Sequence, residues 1–189
     1  MGRALIGSAG ASSNEYIAAR LTEMGYSRPV IIPSGAEARR RMTESDFELI
    51  VVNSPLPDEF GHELAQQAAN DTLSGVILLA KAEIADRVAE KVEDDGVFVV
   101  PKPLSRVLFM QALRMTRAAR SRLTGLQSEN RRLQKRIEDI RQVDRAKCLL
   151  IECCGMTEPE AHSYIEQQAM NQRRSKRDIA EDIIGGKTP

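Results

Sequence analysis

Asn171-Gln172-Arg173-Arg174-Ser175-Lys176-Arg177 sets four cations in five positions, with two amide side chains directly before them. Guanidinium and ammonium groups pair with phosphate oxygens, and amides can reach base edges, so the composition suits a nucleic-acid backbone. The same run suits a solvated basic turn, and the pattern alone leaves both readings open. A second stretch, Gly7-Ser8-Ala9-Gly10-Ala11-Ser12-Ser13, places small residues between an apolar run and a helical pattern. Such a loop could cradle an anion at a helix N-terminus. It lacks the Lys-Ser/Thr of a P-loop and the glycine spacing of a dinucleotide fold, so a tight turn with capping serines is the simpler expectation. His62 and His162 stand alone on helical patterns, which favours surface or hydrogen-bonded positions over catalysis. Cys148, Cys153 and Cys154 lack metal-ligand spacing and are expected to pack as small apolar side chains in a reducing compartment. No motif supports catalysis, and no cofactor or metal is expected.

The elements around the basic run are legible. The apolar stretch Leu149-Leu150-Ile151 ends at Gly155, a natural helix C-cap. Thr157 opens a second helix, with Pro159 in its first turn and Glu160 at capping-box spacing. Ala161, Tyr164, Ile165 and Ala169 recur at helical spacing, and a third helix from about Ser175 carries Ile179, Ala180, Ile183 and Ile184 before Gly185-Gly186. None of the three has enough apolar surface to stand alone, so they read as a small three-helix bundle.

Upstream, residues 105–148 contain no proline and one glycine, Gly125. Leu123, Leu126, Asn130, Leu133, Ile137, Ile140 and Asp144 follow one another at spacings of three and four. Asn130 and Ile137 fall at heptad position a, and Leu126, Leu133 and Ile140 at d, a pattern that predicts a parallel coiled-coil dimer. Arg136 at g and Arg141 at e would repel across that dimer, and an amphipathic helix packed on its own chain is the alternative. Residues 1–105 alternate apolar runs (4–6, 30–32, 49–52, 76–79, 97–100) with helical patterns (14–24, 36–42, 62–69, 84–92). Strict alternation implies a parallel sheet covered on both faces, an α/β, flavodoxin-like fold with five strands.

The net charge of zero conceals a strong asymmetry. Residues 1–113 carry 11 basic and 16 acidic side chains, residues 114–147 carry 11 and 4, and residues 148–189 carry 5 and 7. The basic region is therefore the connecting helix, and the last segment has only its local cluster. With no Trp and 4% aromatic residues, an aromatic base-stacking platform is not expected. No secretory or membrane-spanning pattern is present, so a cytoplasmic protein without a membrane partner is expected.

Taken together, the features of the last stretch resemble the ANTAR domain, the RNA-binding module of bacterial transcription antitermination regulators. They are Ala146-Lys147 before a Leu-rich run, Gly155, Glu158 and Glu160 at an acidic helix start, the Ala161…Tyr164 pair, Ala169-Met170-Asn171, and Ile179-Ala180 before Ile183-Ile184; the match covers about forty residues. The first part resembles a response-regulator receiver domain. Leu49-Ile50-Val51-Val52-Asn53-Ser54-Pro55-Leu56-Pro57 stands where receivers end their third strand, and Pro101-Lys102-Pro103 matches the Lys-Pro turn after the fifth. By that resemblance the phosphoacceptor position holds Asn53, the acidic pair is replaced by Gly7 and Ser8, and the Ser/Thr position holds Ala80. The receiver Lys remains as Lys102. Phosphoryl transfer to a receiver needs clustered carboxylates for Mg²⁺ and a carboxylate nucleophile, so a pseudo-receiver kept for protein contacts is expected.

The expected organisation is a pseudo-receiver over residues 1–113, a dimerising coiled-coil helix over 114–145 and an ANTAR domain over 146–189. The resemblance implies a dimeric antitermination regulator that grips leader-RNA hairpins. Arg173, Arg174, Lys176 and Arg177 would contact phosphates or stack on bases. Lys147 and Asn171 would add hydrogen bonds, and Tyr164 would either stack or belong to the core. Leu126, Asn130, Leu133, Ile137 and Ile140 would form the dimer seam, and a protein regulator would act on the first domain. The alternatives are a DNA-binding response regulator and a nucleotide-binding α/β enzyme.

Overall fold

The computed structural model describes residues 2–187; Met1, Thr188 and Pro189, at the outer limits of the expected first and last spans, lie outside the described residues. The chain divides into two compact units, Met1–Gly125 and Leu126–Pro189. The first unit contains strands β1 (Ala4–Gly7), β2 (Val30–Ile32), β3 (Leu49–Asn53), β4 (Gly75–Lys81) and β5 (Val97–Lys102). All pairings are parallel and the order is β2-β1-β3-β4-β5, the flavodoxin-like layout expected from the alternation. Burial on both faces explains the unbroken apolar runs of β1, β3 and β4, which leave no face for polar residues, whereas the edge strand β2 leaves Ile31 exposed.

Successive strand residues serve opposite faces. Leu5, Ile50, Val52, Val76 and Leu78 pack with residues of α2 (Gly35–Glu44), α3 (His62–Asp71) and α4 (Ala82–Val92). Ala4, Ile6, Leu49, Val51, Ile77 and Leu79 pack with α1 (Ala11–Glu23) and with Phe109 and Leu113 of α5 (Arg106–Cys154). Phe109 is fully buried. Truncating such a phenyl to alanine costs about 3–5 kcal/mol, so the start of α5 is held firmly on the sheet. The helix then runs on through Gly125 without a break.

The second unit consists of the later part of α5, α6 (Glu158–Gln172) and α7 (Lys176–Ile184). Ala146, Leu150, Ala161, Ile165, Ala169, Ile179, Ala180 and Ile183 form its core. Gly155 ends α5 at φ +69°, a conformation that glycine enters without a Cβ penalty. Both following helices start on capping boxes. Thr157 N–H donates to Glu160 Oε2 at 2.8 Å, and Ser175 and Asp178 exchange two hydrogen bonds of 3.1 Å.

Two local expectations are corrected. Helix α1 begins at Ala11, so Ser12 and Ser13 lie inside it, and its cap is Gly10, which has no side chain to cap with and whose own N–H donates to Ser8 Oγ at 3.4 Å. Cys148, Cys153 and Cys154 are all exposed: Cys148 lies across the helix from the core residues Ala146 and Leu150, and Cys153 and Cys154 fall at the very end of α5. Among the described residues no helix is long and apolar enough to cross a membrane.

Candidate functional site

The turn between α6 and α7 presents the basic run. Arg173 caps α6 in the left-handed region, at φ 53° and ψ 40°, and Arg174 N–H returns to Ala169 O at 3.0 Å. The six positions 171–176 are exposed. Their charges, however, are mostly balanced within the bundle. Arg174 Nη1 donates to Asp182 Oδ2 at 2.5 Å, Lys176 Nζ binds Glu166, and Arg177 donates to Glu181 Oε1 at 2.8 Å and to Asp139 Oδ1 at 2.9 Å. Lys147 Nζ lies 2.8 Å from both Asp144 Oδ1 and Glu158 Oε1.

The protonation equilibria follow these bonds. Hydrogen bonds from Lys147, Lys176 and Arg174 hold the carboxyls of Glu158, Glu166 and Asp182 below the ordinary carboxylate range. Asp144 and then Glu158 push the Lys147 ammonium above the usual lysine range. Arg173 alone of the four cations in the run has no carboxylate partner among the described residues. Asn171 is exposed, and Tyr164 is half-buried against the bundle core. The spacing of Glu158, His162 and Glu166, one helical face of α6, is the sequence signal that could have revealed these partners. His162 Nε2 itself sits 3.3 Å from Glu166 Oε1.

A second feature lies on α5. Leu126, Leu133, Ile137 and Ile140 are 64, 49, 52 and 53% exposed. Asn130 lies within the same helix face and is exposed too. Four large aliphatic side chains at heptad spacing, with Asn130 between the first two, form a mainly apolar stripe on one side of the helix.

The third feature is the crevice at the C-terminal strand ends, where open α/β sheets place their ligands. Gly7, Asn53, Ala80 and Lys102 stand at or beside the ends of β1, β3, β4 and β5. Asn53 Nδ2 donates to Ser8 Oγ at 2.9 Å, a buried bond between two neutral groups. Lys102 Nζ donates to the Ser54 carbonyl, and burial together with nearby Lys81 lowers its pKa. The carboxylates that follow β3 are engaged elsewhere. Asp58 accepts from the N–H groups of Gly35 and Ala36 at 2.9 and 3.0 Å, and Glu59 pairs with Arg39. Among the described residues no group of three or more His, Cys, Asp or Glu could hold a metal ion.

Comparison with known proteins agrees with this arrangement. Residues 131–184 match the ANTAR domain. The chain is 28% identical over 169 residues to the transcriptional regulatory protein PdtaR of Mycobacterium tuberculosis, across 89% of this chain and 82% of that one. It is 29% identical over 128 residues to the aliphatic amidase regulator of Pseudomonas aeruginosa, across 68% of this chain and 64% of that one. The signal receiver domain of a signal transduction histidine kinase from Syntrophus aciditrophicus matches in fold, with a TM-score of 0.54 at 22% identity over 63% of this chain and 92% of that one. Residues 131–184 thus carry an ANTAR domain, and the first unit has the receiver fold.

Proposed function

We propose that this chain is an RNA-binding transcription antitermination regulator that acts as a dimer on hairpins in leader RNA. The observation that carries the reading is the ANTAR match over a bundle whose basic turn faces solvent. Single-stranded loops expose base edges that the A-form major groove hides, so a hairpin loop suits a compact bundle with exposed amide and guanidinium groups. Arg173 and Asn171 are free to engage RNA directly. Lys147, Arg174, Lys176 and Arg177 engage it by exchanging a carboxylate for a phosphate, and Tyr164 contributes its exposed edge. The chain works as three parts, residues 1–113, 114–145 and 146–189. The seam Leu126, Asn130, Leu133, Ile137 and Ile140 pairs two copies in parallel.

Control in this reading does not use phosphorylation. An Asn53 amide is a poor nucleophile beside a carboxylate, and Gly7 and Ser8 bring no charge to hold Mg²⁺. A protein that binds the first domain in one arrangement of the dimer more tightly than in another would supply the switch. The reading is tested by titrating the full chain with a two-hairpin leader RNA and with duplex DNA of the same sequence at matched salt. Preference for the RNA is the expected result. Equal or tighter binding to the DNA overturns the RNA assignment in favour of a DNA-binding regulator.

A further inference from the structure

The cations of the turn are balanced by their own bundle; those of the stem are not. Arg131, Arg132, Lys135 and Arg136 are exposed on α5, and none has an ion-pair partner among the described residues. Arg131 with Lys135 and Arg132 with Arg136 form two i,i+4 rows about 100° apart, together a broad basic flank of the helix. That face leads into a groove of about 710 Å³ between α5 and the start of α7, lined among others by Lys135, Arg136, Lys147, Lys176 and Arg177. The acids of the groove are already engaged: Asp139 with Arg177, Asp144 with Lys147, and Asp178 in the capping box of Ser175. Lys135 and Arg136 are therefore the uncompensated charge of the groove.

We propose that this stripe and groove form a backbone tract for the double-helical stem of the RNA hairpin, an inference that rests on the RNA reading above. From Arg131 to Lys147 the tract runs roughly 24 Å at about 1.5 Å per residue, long enough to follow a strand over several nucleotides. Among the described residues, the groove lining carries no Phe, Tyr or Trp; its one ring is the His162 imidazole, which lies 3.3 Å from Glu166 Oε1. With its three carboxylates already engaged, the groups it leaves to a ligand are chiefly ammonium and guanidinium, which recognise phosphate rather than sequence. The tract also accounts for a cost within the protein. Arg136 at g and Arg141 at e repel across a parallel dimer, and a polyanion laid beside them removes that repulsion. Phosphates on the tract attract and orient the hairpin, leaving the turn at 171–177 to meet the loop.

The test uses the full chain with Arg131, Arg132, Lys135 and Arg136 all changed to Gln, a good helix former that leaves the exposed helix intact. Affinity for a labelled leader hairpin is measured by fluorescence anisotropy between about 50 and 300 mM salt, with sedimentation of each protein alongside. The variant is expected to bind at least tenfold more weakly. Its plot of log K against log salt should be flatter by about 0.9 for each duplex phosphate that the variant no longer neutralises. The weakening should be the same for hairpins whose stem base pairs are swapped, and Arg→Lys changes at 131, 132 and 136 should retain the slope. Wild-type affinity and slope in the Gln variant, with RNA still bound, would show a solvated face and overturn the tract while leaving the RNA reading standing. A weakening that depends on stem sequence overturns the phosphate assignment. Failure of the unaltered chain to bind the hairpin overturns the RNA reading and the tract together.

Discussion

Arg173 and Arg174 are neighbours in sequence and differ in what holds them. Arg174 is bound to Asp182, so an RNA phosphate gains there only the difference between two charge-assisted bonds. Arg173 has no such competitor among the described residues and can give a phosphate its full interaction. We predict that Arg173→Asn weakens hairpin binding about tenfold, the equivalent of a charged hydrogen bond of about 1.4 kcal/mol. Asn is chosen because it tolerates the left-handed backbone at this position. Arg174→Ala should cost less than about threefold on the same scale. Anisotropy titrations of the two variants at one salt concentration decide the order; a larger effect at Arg174 would show that the Asp182 pair opens freely. Counting cations in the sequence finds both residues alike. The difference comes from α7, which brings Asp182 back beside the turn.

At the scale of elements, the helix boundaries of the bundle follow from side chains a few residues apart. Thr157 and Glu160 start α6, and Gly155 ends α5. Thr157→Ala should lower the stability of the bundle by about 1 kcal/mol, since it removes the cap hydroxyl that donates to Glu160 Oε2 at 2.7 Å. Hydrogen exchange of amides in α6 and α7 reads this directly, and unchanged protection would show that the cap contributes nothing. The stem makes a stronger demand. A helix face with four aliphatic side chains about half exposed is unfavourable unless it is covered. Leu133→Asp with Ile137→Asp should convert a dimer into a monomer and weaken binding to a two-hairpin RNA by about a hundredfold, because binding of the second hairpin ceases to be intramolecular. Sedimentation equilibrium measures the first effect and RNA titration the second. A wild-type monomer at micromolar concentration would remove the basis for both.

For the whole molecule, the proposed control of the second domain by the first works without phosphorylation. A receiver that accepts phosphate needs its nucleophile, its metal and its lysine at one place. Here the crevice offers an Asn53–Ser8 hydrogen bond and a Lys102 that donates to a backbone carbonyl. Incubation with acetyl phosphate and Mg²⁺, or with beryllium fluoride, should leave the intact mass, the sedimentation and the RNA affinity unchanged. Asn53→Asp should not restore modification, because positions 7 and 8 still carry no carboxylate for the metal. An adduct on the first domain, read by intact mass, would instead restore an ordinary phosphorylation switch.

The sequence by itself determined the architecture. Strand and helix periods, glycine ends, capping spacings and the heptad are local patterns, set by backbone geometry and by which face of an element must leave water. The strand ends near positions 7, 53, 80 and 102 follow from the same alternation, and the receiver resemblance implies what the residues there would have to do. Only the tertiary structure decided which charges are available. Lys147 meets Glu158 and Lys176 meets Glu166 across helix pairs, and Arg177 reaches Asp139, 38 residues away in the chain. Such pairings depend on how helices cross, which no local period encodes. The densest basic run in the sequence is thereby largely neutralised in the fold, and the sparser cations on the stem are the ones left unpaired.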